Sequence, residues 1–305
     1  MLDLERTLQK IKDKQWALAD IDWDAPGADT IRADQRDDLK AFLADLVWIE
    51  HVGARGFAAL ATKAKDPVLA EIYRWFHAEE QRHANAELAL MRRWGMIEQG
   101  ETPPVNKNIR LVIDYLDKHA DSVQLGTLTT VIAMLETALD GALIKFLLDE
   151  VSDPVCHEVF KHINSDESRH LAVDFHVMEQ MGMRPQVRET LSVIAGALRP
   201  QAMLGVLVYL PLLNRMRDNI VGLGLEERKL YAAIKRFDEV GSRSEHTKKY
   251  APFRVLRWHG RMVTNRKHPY HLLADGLVKA TNLIPSRVLG PLPSWVDELT
   301  AEPVA

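Results

Sequence analysis

Two stretches of this chain place the same chemical groups in the same order: His77 to Glu87 reads HAEEQRHANAE, and Asn164 to Asp174 reads NSDESRHLAVD. Each contains Glu-x-x-His, as Glu80 with His83 and as Glu167 with His170. On a helix, residues three apart lie about one turn apart on the same face, so a carboxylate and an imidazole at this spacing converge on one ion. Two further carboxylates, Glu50 and Glu136, precede the motif glutamates by 30 and 31 residues, each among apolar or small neighbours three and four positions away. Four carboxylates on buried helix faces repel one another and lose their hydration unless a cation sits among them. Two divalent ions neutralise such a set, and so do two trivalent ions with a bridging oxide. The donors therefore suit a metal pair that cycles with oxygen, and mixed carboxylate and imidazole ligands favour iron or manganese over zinc.

Long helices must hold these residues. From Asp34 onward, apolar or small side chains recur at Leu39, Phe42, Leu43, Leu46, Ile49, Gly53, Phe57 and Leu60, which predicts one buried helix face that includes Glu50 and ends near Lys65. Asp66 and Pro67 supply a cap and a first-turn residue for a second helix reaching Trp94, with Gly95 as its stop. A short helical stretch around Ile109 to Lys118 and a third long helix over roughly Ser122 to Glu150 follow; Asp153 and Pro154 then start a fourth, ending at Gly182. The second and fourth helices align without gaps: Asp66-Pro67 on Asp153-Pro154, Glu80 on Glu167, His83 on His170, and Gly95-Met96 on Gly182-Met183. The chain reads as two copies of a helix pair. No comparable strand pattern and no Gly-rich phosphate loop is present, since GLGLEE at Gly222 lacks the third glycine and a preceding strand, so the expected fold class is all-α.

The motif words Glu79-Glu80-Gln81-Arg82-His83 and Asp166-Glu167-Ser168-Arg169-His170 resemble those of the ferritin-like di-iron carboxylate proteins, in which two helices each give a Glu and two others each give Glu-x-x-His. Within that group they are most similar to the soluble acyl-carrier-protein desaturases and related di-iron oxygenases. The resemblance covers Asp34 to Met183. It implies a ferritin-like four-helix bundle with additional C-terminal helices, and two iron ions, or manganese or a mixed pair, held by Glu50, Glu80, His83, Glu136, Glu167 and His170. It also implies oxygen-dependent oxidation of an organic, acyl-type substrate by desaturation or hydroxylation, with ferritin- or rubrerythrin-like iron oxidation, storage or peroxide removal as the alternative. The desaturases usually carry a Thr one turn after the third-helix Glu, where this chain has Leu139 and Asp140. The extra His of nitrogen-oxygenating relatives is replaced by Ile163.

Several neighbours of the ligands suggest supporting roles. Glu87 and Asp174, one turn beyond the two histidines, are placed to accept the outer imidazole protons or to be solvated helix charges. Asp140, one turn after Glu136, is either a supporting carboxylate or a polar bundle residue. Tyr73, two turns before Glu80, is a core aromatic or a radical or proton relay, and His77 is expected to support the ligands or to be simply polar, without binding metal itself.

The rest of the composition sets bounds. A single cysteine, Cys156, rules out an intramolecular disulfide and an iron–sulfur cluster, so electrons are expected from a separate reductase or ferredoxin. A cytoplasmic location is the default, because MLDLERTLQKIKDK alternates charge with apolar residues. Residues 1–33 read as a lead-in, 34–183 as the bundle, 184–281 as additional helices and a basic segment packed on it, and 282–305 as an irregular tail. Ala202 to Leu213, too short to span a bilayer, reads as a buried helix. The net charge is −4, yet Gly241 to Tyr270 holds eight Lys/Arg against one acid, Glu245. Together these features suit a hydrophobic or carrier-bound substrate, with a homodimer and peripheral membrane contact as further options and nucleic acid disfavoured.

Overall fold

In the computed structural model an amphipathic helix, α1 (Leu4–Asp13), opens the chain and is capped by Asp3, whose side chain accepts from the Arg6 amide. Four long helices follow, α2 (Arg36–Lys63), α3 (Pro67–Arg93), α5 (Leu125–Glu150) and α6 (Pro154–Gly182), with α4 (Lys107–His119) in the connection between the pairs. The structure describes residues 2–31, 33–184, 186–197, 199–224 and 226–294; the side chains of residues 35, 139–146, 149, 150, 186, 188, 189, 192, 194 and 197 also lie outside the description, and with them the Asp140 carboxylate. Among the described residues there is no strand.

The helix starts follow the expected chemistry. The Asp66 carboxylate accepts from the Val68 and Leu69 amides at 2.8 and 3.1 Å, and Asp153 accepts from the Val155 amide at 3.0 Å, each ahead of a proline at the first helical position. The two stops differ. Gly95 has a φ of +62°, and the Gly95 and Met96 amides donate back to the Arg92 and Met91 carbonyls, a left-handed glycine closure. Gly182 instead ends inside α6 with Met183 as the cap, and a β-carbon there would meet the His246 carbonyl oxygen at 2.1 Å. The aligned glycines thus serve different ends, one a backbone turn and the other a close approach.

Short connections pair α2 with α3 and α5 with α6 as hairpins, and the two hairpins pack face to face. Their shared interior is apolar: Leu43, Phe57, Leu60, Ile72, Tyr73, Phe76, Ala133 and Val159 are buried completely. The remaining helices wrap this bundle: α7 (Gln186–Ala197), α8 (Pro200–Gly222), α9 (Glu227–Gly241), α10 (Glu245–Lys249), α11 (Ala251–Val263), α12 (Tyr270–Asn282) and the short α13 (Ser286–Leu289). Helix α9 lies along α5, α11 rests on α5 and α9, α10 packs on α6, and α8 packs on α4 and α12.

Two expectations need correction. The apolar run Ala202 to Leu213 is helical within α8 but only partly buried: Met203, Leu204, Val206 and Leu207 are exposed, and continuous burial begins around Pro211. The reason is coverage: among the described residues, the hydrogen bonds from α12 reach α8 from Leu210 onward, through Tyr270 to the Leu210 carbonyl and Asn214 to Asp275. The stretch after Asn282, expected to be irregular, forms a helical turn at α13, while residues 295–305 lie outside the described residues.

Candidate metal centre

Each of the four bundle helices delivers its acid to the same interior point. Glu50 comes from α2, Glu80 and His83 from α3, Glu136 from α5, and Glu167 and His170 from α6. All six are nine-tenths buried or more. Their donor atoms form two overlapping groups, Glu50, Glu80, His83 and Glu167 in one and Glu80, Glu136, Glu167 and His170 in the other, with one atom from each residue within 4.8 Å of the rest. Glu80 and Glu167, the glutamates of the two Glu-x-x-His motifs, belong to both groups. The arrangement is that of two adjacent ion sites with two shared carboxylates, each completed by one further Glu and one His.

The imidazoles are oriented for this. His83 turns Nδ1 inward, 3.1 Å from Glu167 and 3.6 Å from Glu50, and His170 turns Nδ1 to within 3.2 Å of Glu80, 3.3 Å of Glu167 and 3.7 Å of Glu136. The Nε2 atoms point outward to acids of the opposite motif: His83 Nε2 lies 3.1 Å from Asp166, and His170 Nε2 lies 2.9 Å from Glu79. An Nε2–H donated to a carboxylate fixes the tautomer and leaves the Nδ1 lone pair for an ion. Arg169 donates to both Glu79 and Asp166, and Arg82 lies 3.9 and 3.8 Å from the same two acids.

The N-terminal segment closes this outer ring. Trp16 Nε1 donates to Asp166 at 2.8 Å, Gln15 donates to Glu79 at 2.6 Å and accepts from Arg82 at 2.9 Å, and the Arg82 guanidinium lies over the Trp16 ring. Sequence spacing did not identify Gln15, Trp16, Glu79 and Asp166 as supports. One signal was available, an acid directly before the ligand glutamate and an Arg directly before the histidine in both motifs.

Charge balance tests whether cations fit. Burial pushes the Glu80 carboxyl far above its usual range, with the Glu167 and Glu50 charges adding to it, and burial lifts Glu136 to about 7. Burial also works to raise Glu167, but the two imidazoles more than offset it and hold that carboxyl low. For His83 and His170 burial works downward, and the surrounding carboxylates overcome it and raise both. Several inward atoms, namely Glu80 Oε1, both oxygens of Glu136 and Glu167, and Nδ1 of both histidines, are buried without a hydrogen bond of acceptable geometry. In a folded interior such atoms are ordinarily satisfied, and cations among them would do so. The donor set therefore fits two divalent metals of the iron or manganese kind.

Space is reserved as well. A β-carbon at Gly53, one turn beyond Glu50 on α2, would sit 2.3 Å from Glu80 Oε2, so only glycine lets that carboxylate take its place.

No family model matches the chain, and no curated protein is similar to it in sequence. Among solved structures, the fold is similar to that of a variant R2-like ligand-binding oxidase with an aerobically reconstituted Mn/Fe cofactor, at 12% identity and a TM-score of 0.50, covering 88% of this chain and 94% of that one. A second variant, with an Fe/Fe cofactor, aligns at 13% identity and a TM-score of 0.49 over 88% and 93% of the two chains. The fold is a ferritin-like bundle.

Within that bundle the remaining candidates take distinct places. The role expected of Glu87 and Asp174, accepting the outer imidazole protons, belongs to Asp166 and Glu79 instead. The reason is geometric, because each imidazole directs Nε2 across the bundle toward the other motif helix and away from its own next turn. Glu87 is fully buried with neither oxygen hydrogen-bonded, and burial, reinforced by Glu50, pushes its carboxyl well up. Asp174 approaches the Tyr73 hydroxyl at 3.3 Å, and Tyr73 also lies 3.4 Å from Thr129 while its ring stacks on Phe57. Tyr73 is a fully buried core aromatic with a polar tip. His77 Nδ1 is 2.8 Å from the Ala54 carbonyl oxygen and so ties α3 to α2.

Proposed function

We propose that the chain is an oxygen-dependent oxidoreductase with a two-metal centre held by Glu50, Glu80, His83, Glu136, Glu167 and His170. The observation that carries this reading is the pair of overlapping donor groups sharing Glu80 and Glu167. When bound there, two iron ions or a manganese–iron pair supply the redox chemistry that lets dioxygen oxidise an organic substrate. The protein's own residues set the conditions. Glu50 with His83 would hold one ion and Glu136 with His170 the other, and Glu80 and Glu167 would serve both. Asp166 and Glu79 hold the imidazole rings by their Nε2–H groups, and Arg169 holds these two acids against each other.

Water is kept away by a wall of rings on the α2 and α3 side. Phe76 lies 4.1 Å and Phe57 5.1 Å, centroid to centroid, from His170, and both are fully buried. A dry site strengthens electrostatic interactions and suppresses side reactions of a strong oxidant. The motif words and the apolar surroundings favour a hydrophobic, acyl-type substrate, oxidised by desaturation or hydroxylation. Electrons come from a separate reductase or ferredoxin, because a single cysteine cannot hold an iron–sulfur cluster.

The test is oxygen uptake by the anaerobically iron-loaded, reduced chain after it is mixed with buffer containing oxygen. The reading expects fast, metal-dependent uptake that Glu80→Ala abolishes. Uptake unchanged by Glu80→Ala would reject it.

A further inference from the structure

The basic segment takes no part in the candidate metal centre, and its chemistry points outward. Helix α11 is amphipathic. Phe253, Leu256, His259, Gly260 and Val263 face the protein, while Arg254, Val255, Trp258 and Arg261 share the outer face. Trp258 is 61% exposed and Val255 is 55% exposed. Trp258 and Val255, three positions apart on the helix, form an exposed apolar pair on that face, the kind of surface that marks an interaction site when it extends into a patch. Its neighbours on that face are cationic. Arg257 and Arg261 share Asp238 and Arg266 takes Glu227, while Arg254 and Lys267 stand exposed outside those pairs.

The chain then turns into α12, whose first turn buries Tyr270 and His271 and projects Leu272 and Leu273, 81% and 55% exposed. Helix α11 touches α12, and Tyr270 packs edge-on against His259. The protein as a whole carries −4, so the cationic excess of this segment is a local pattern. No described helix is long and apolar enough to cross a membrane, so any lipid contact of these helices lies along a surface.

We infer that the outer face of α11 with the first turn of α12 is a docking surface for an anionic lipid bilayer. Three features select that occupant. Cations match acidic headgroups, an exposed Trp between arginines suits the headgroup boundary, and bare leucines insert among acyl chains. Nucleic acid matches the cations, but aliphatic leucines do not stack on bases, so their exposure beside Lys267 favours lipid. The inner side of α11 rests on α5, the helix of Glu136. The inference does not depend on the proposed reaction, since binding is read on the chain with or without metal.

The experiment is co-sedimentation of the full chain with vesicles of phosphatidylserine and phosphatidylcholine, compared with phosphatidylcholine alone. The chain sediments with the anionic vesicles, and raising salt from about 0.1 M to about 0.5 M releases most of it. Arg254→Glu combined with Lys267→Glu weakens partitioning by about tenfold or more, and Trp258→Ser weakens it by about threefold or more. All three positions are exposed, and an unchanged melting temperature shows that the variants fold. Equal binding to neutral vesicles, binding unaffected by these substitutions, or failure to sediment with either vesicle overturns the inference. Capture by a single-stranded RNA oligomer in place of anionic vesicles also overturns it, as does a dimer that Trp258→Ser dissociates.

Discussion

Asp166 and Glu79 show how much the position of a carboxylate matters at the scale of single residues. Each follows the rule for an acid in a salt-bridged interior: burial works to raise it, but the bonds from His83 or His170 and the charge of Arg169 overcome this and lower it, Asp166 to about 2. These acids are held low where Glu80 and Glu87 are pushed up, because an imidazole and Arg169 donate to them. Replacing either with its neutral isostere, Asp166→Asn or Glu79→Gln, leaves the shape and removes the charge behind one imidazole. The expected result is a metal affinity lower by about tenfold to a hundredfold with the fold intact, measured by chelator competition. Gly53→Ala acts from the other side. Its β-carbon takes the volume of Glu80 Oε2 and moves a shared carboxylate, so metal content should fall at both positions together while the helix, which prefers Ala, keeps or gains stability. Retention of full metal content in Gly53→Ala would show that Glu80 is free to lie elsewhere.

The equivalent caps of α3 and α6 separate two magnitudes at the scale of elements. Asp66 is exposed and does nothing but cap, so Asp66→Ala should cost about 1 kcal/mol. Asp153 is fully buried and, besides capping, accepts from Arg93 at 2.8 and 3.1 Å and from Trp94 Nε1 at 2.7 Å, while Arg93 also holds the Trp23 and Ala25 carbonyls. Asp153→Ala strands a buried guanidinium and an indole N–H, so its cost should be about 3 kcal/mol or more in denaturant unfolding. Burial works to raise the Asp153 carboxyl, and its bonds to Arg93 and Trp94 more than offset this and lower it. Its contribution is therefore complete above the unfolded carboxyl value and is lost as pH falls through the folded one. The stability gap between wild type and Asp153→Ala should close on acidification, and a gap that stays constant below pH ~3 would contradict this assignment.

The parts of the whole molecule that were legible in the sequence are those whose information is local. Helix periodicity, Asp-Pro starts and Glu-x-x-His spacing all lie within a few residues, and the internal repeat extended them to four helices. The supporting ring was hidden because it is built across the bundle. His83 meets an acid 83 positions away, His170 one 91 away, and Trp16 reaches Asp166 over 150 positions. Residues 1–33, read as a lead-in, reach the centre through Gln15 and Trp16, and no spacing rule addresses such contacts. The buried reading of Ala202 to Leu213 failed for a related reason: apolar sequence says that a helix wants cover, not that a neighbour is present to supply it. One centre with two metal positions that share Glu80 and Glu167 sets a definite iron count. It is tested most directly by anaerobic ferrous ion titration of the metal-free chain, with bound iron counted after dialysis. Two ions per chain are expected in the wild type, about one in Glu50→Ala and in Glu136→Ala, and less than about one in Glu80→Ala and in Glu167→Ala. Two ions retained by Glu80→Ala, or none bound by the folded wild type, would contradict it.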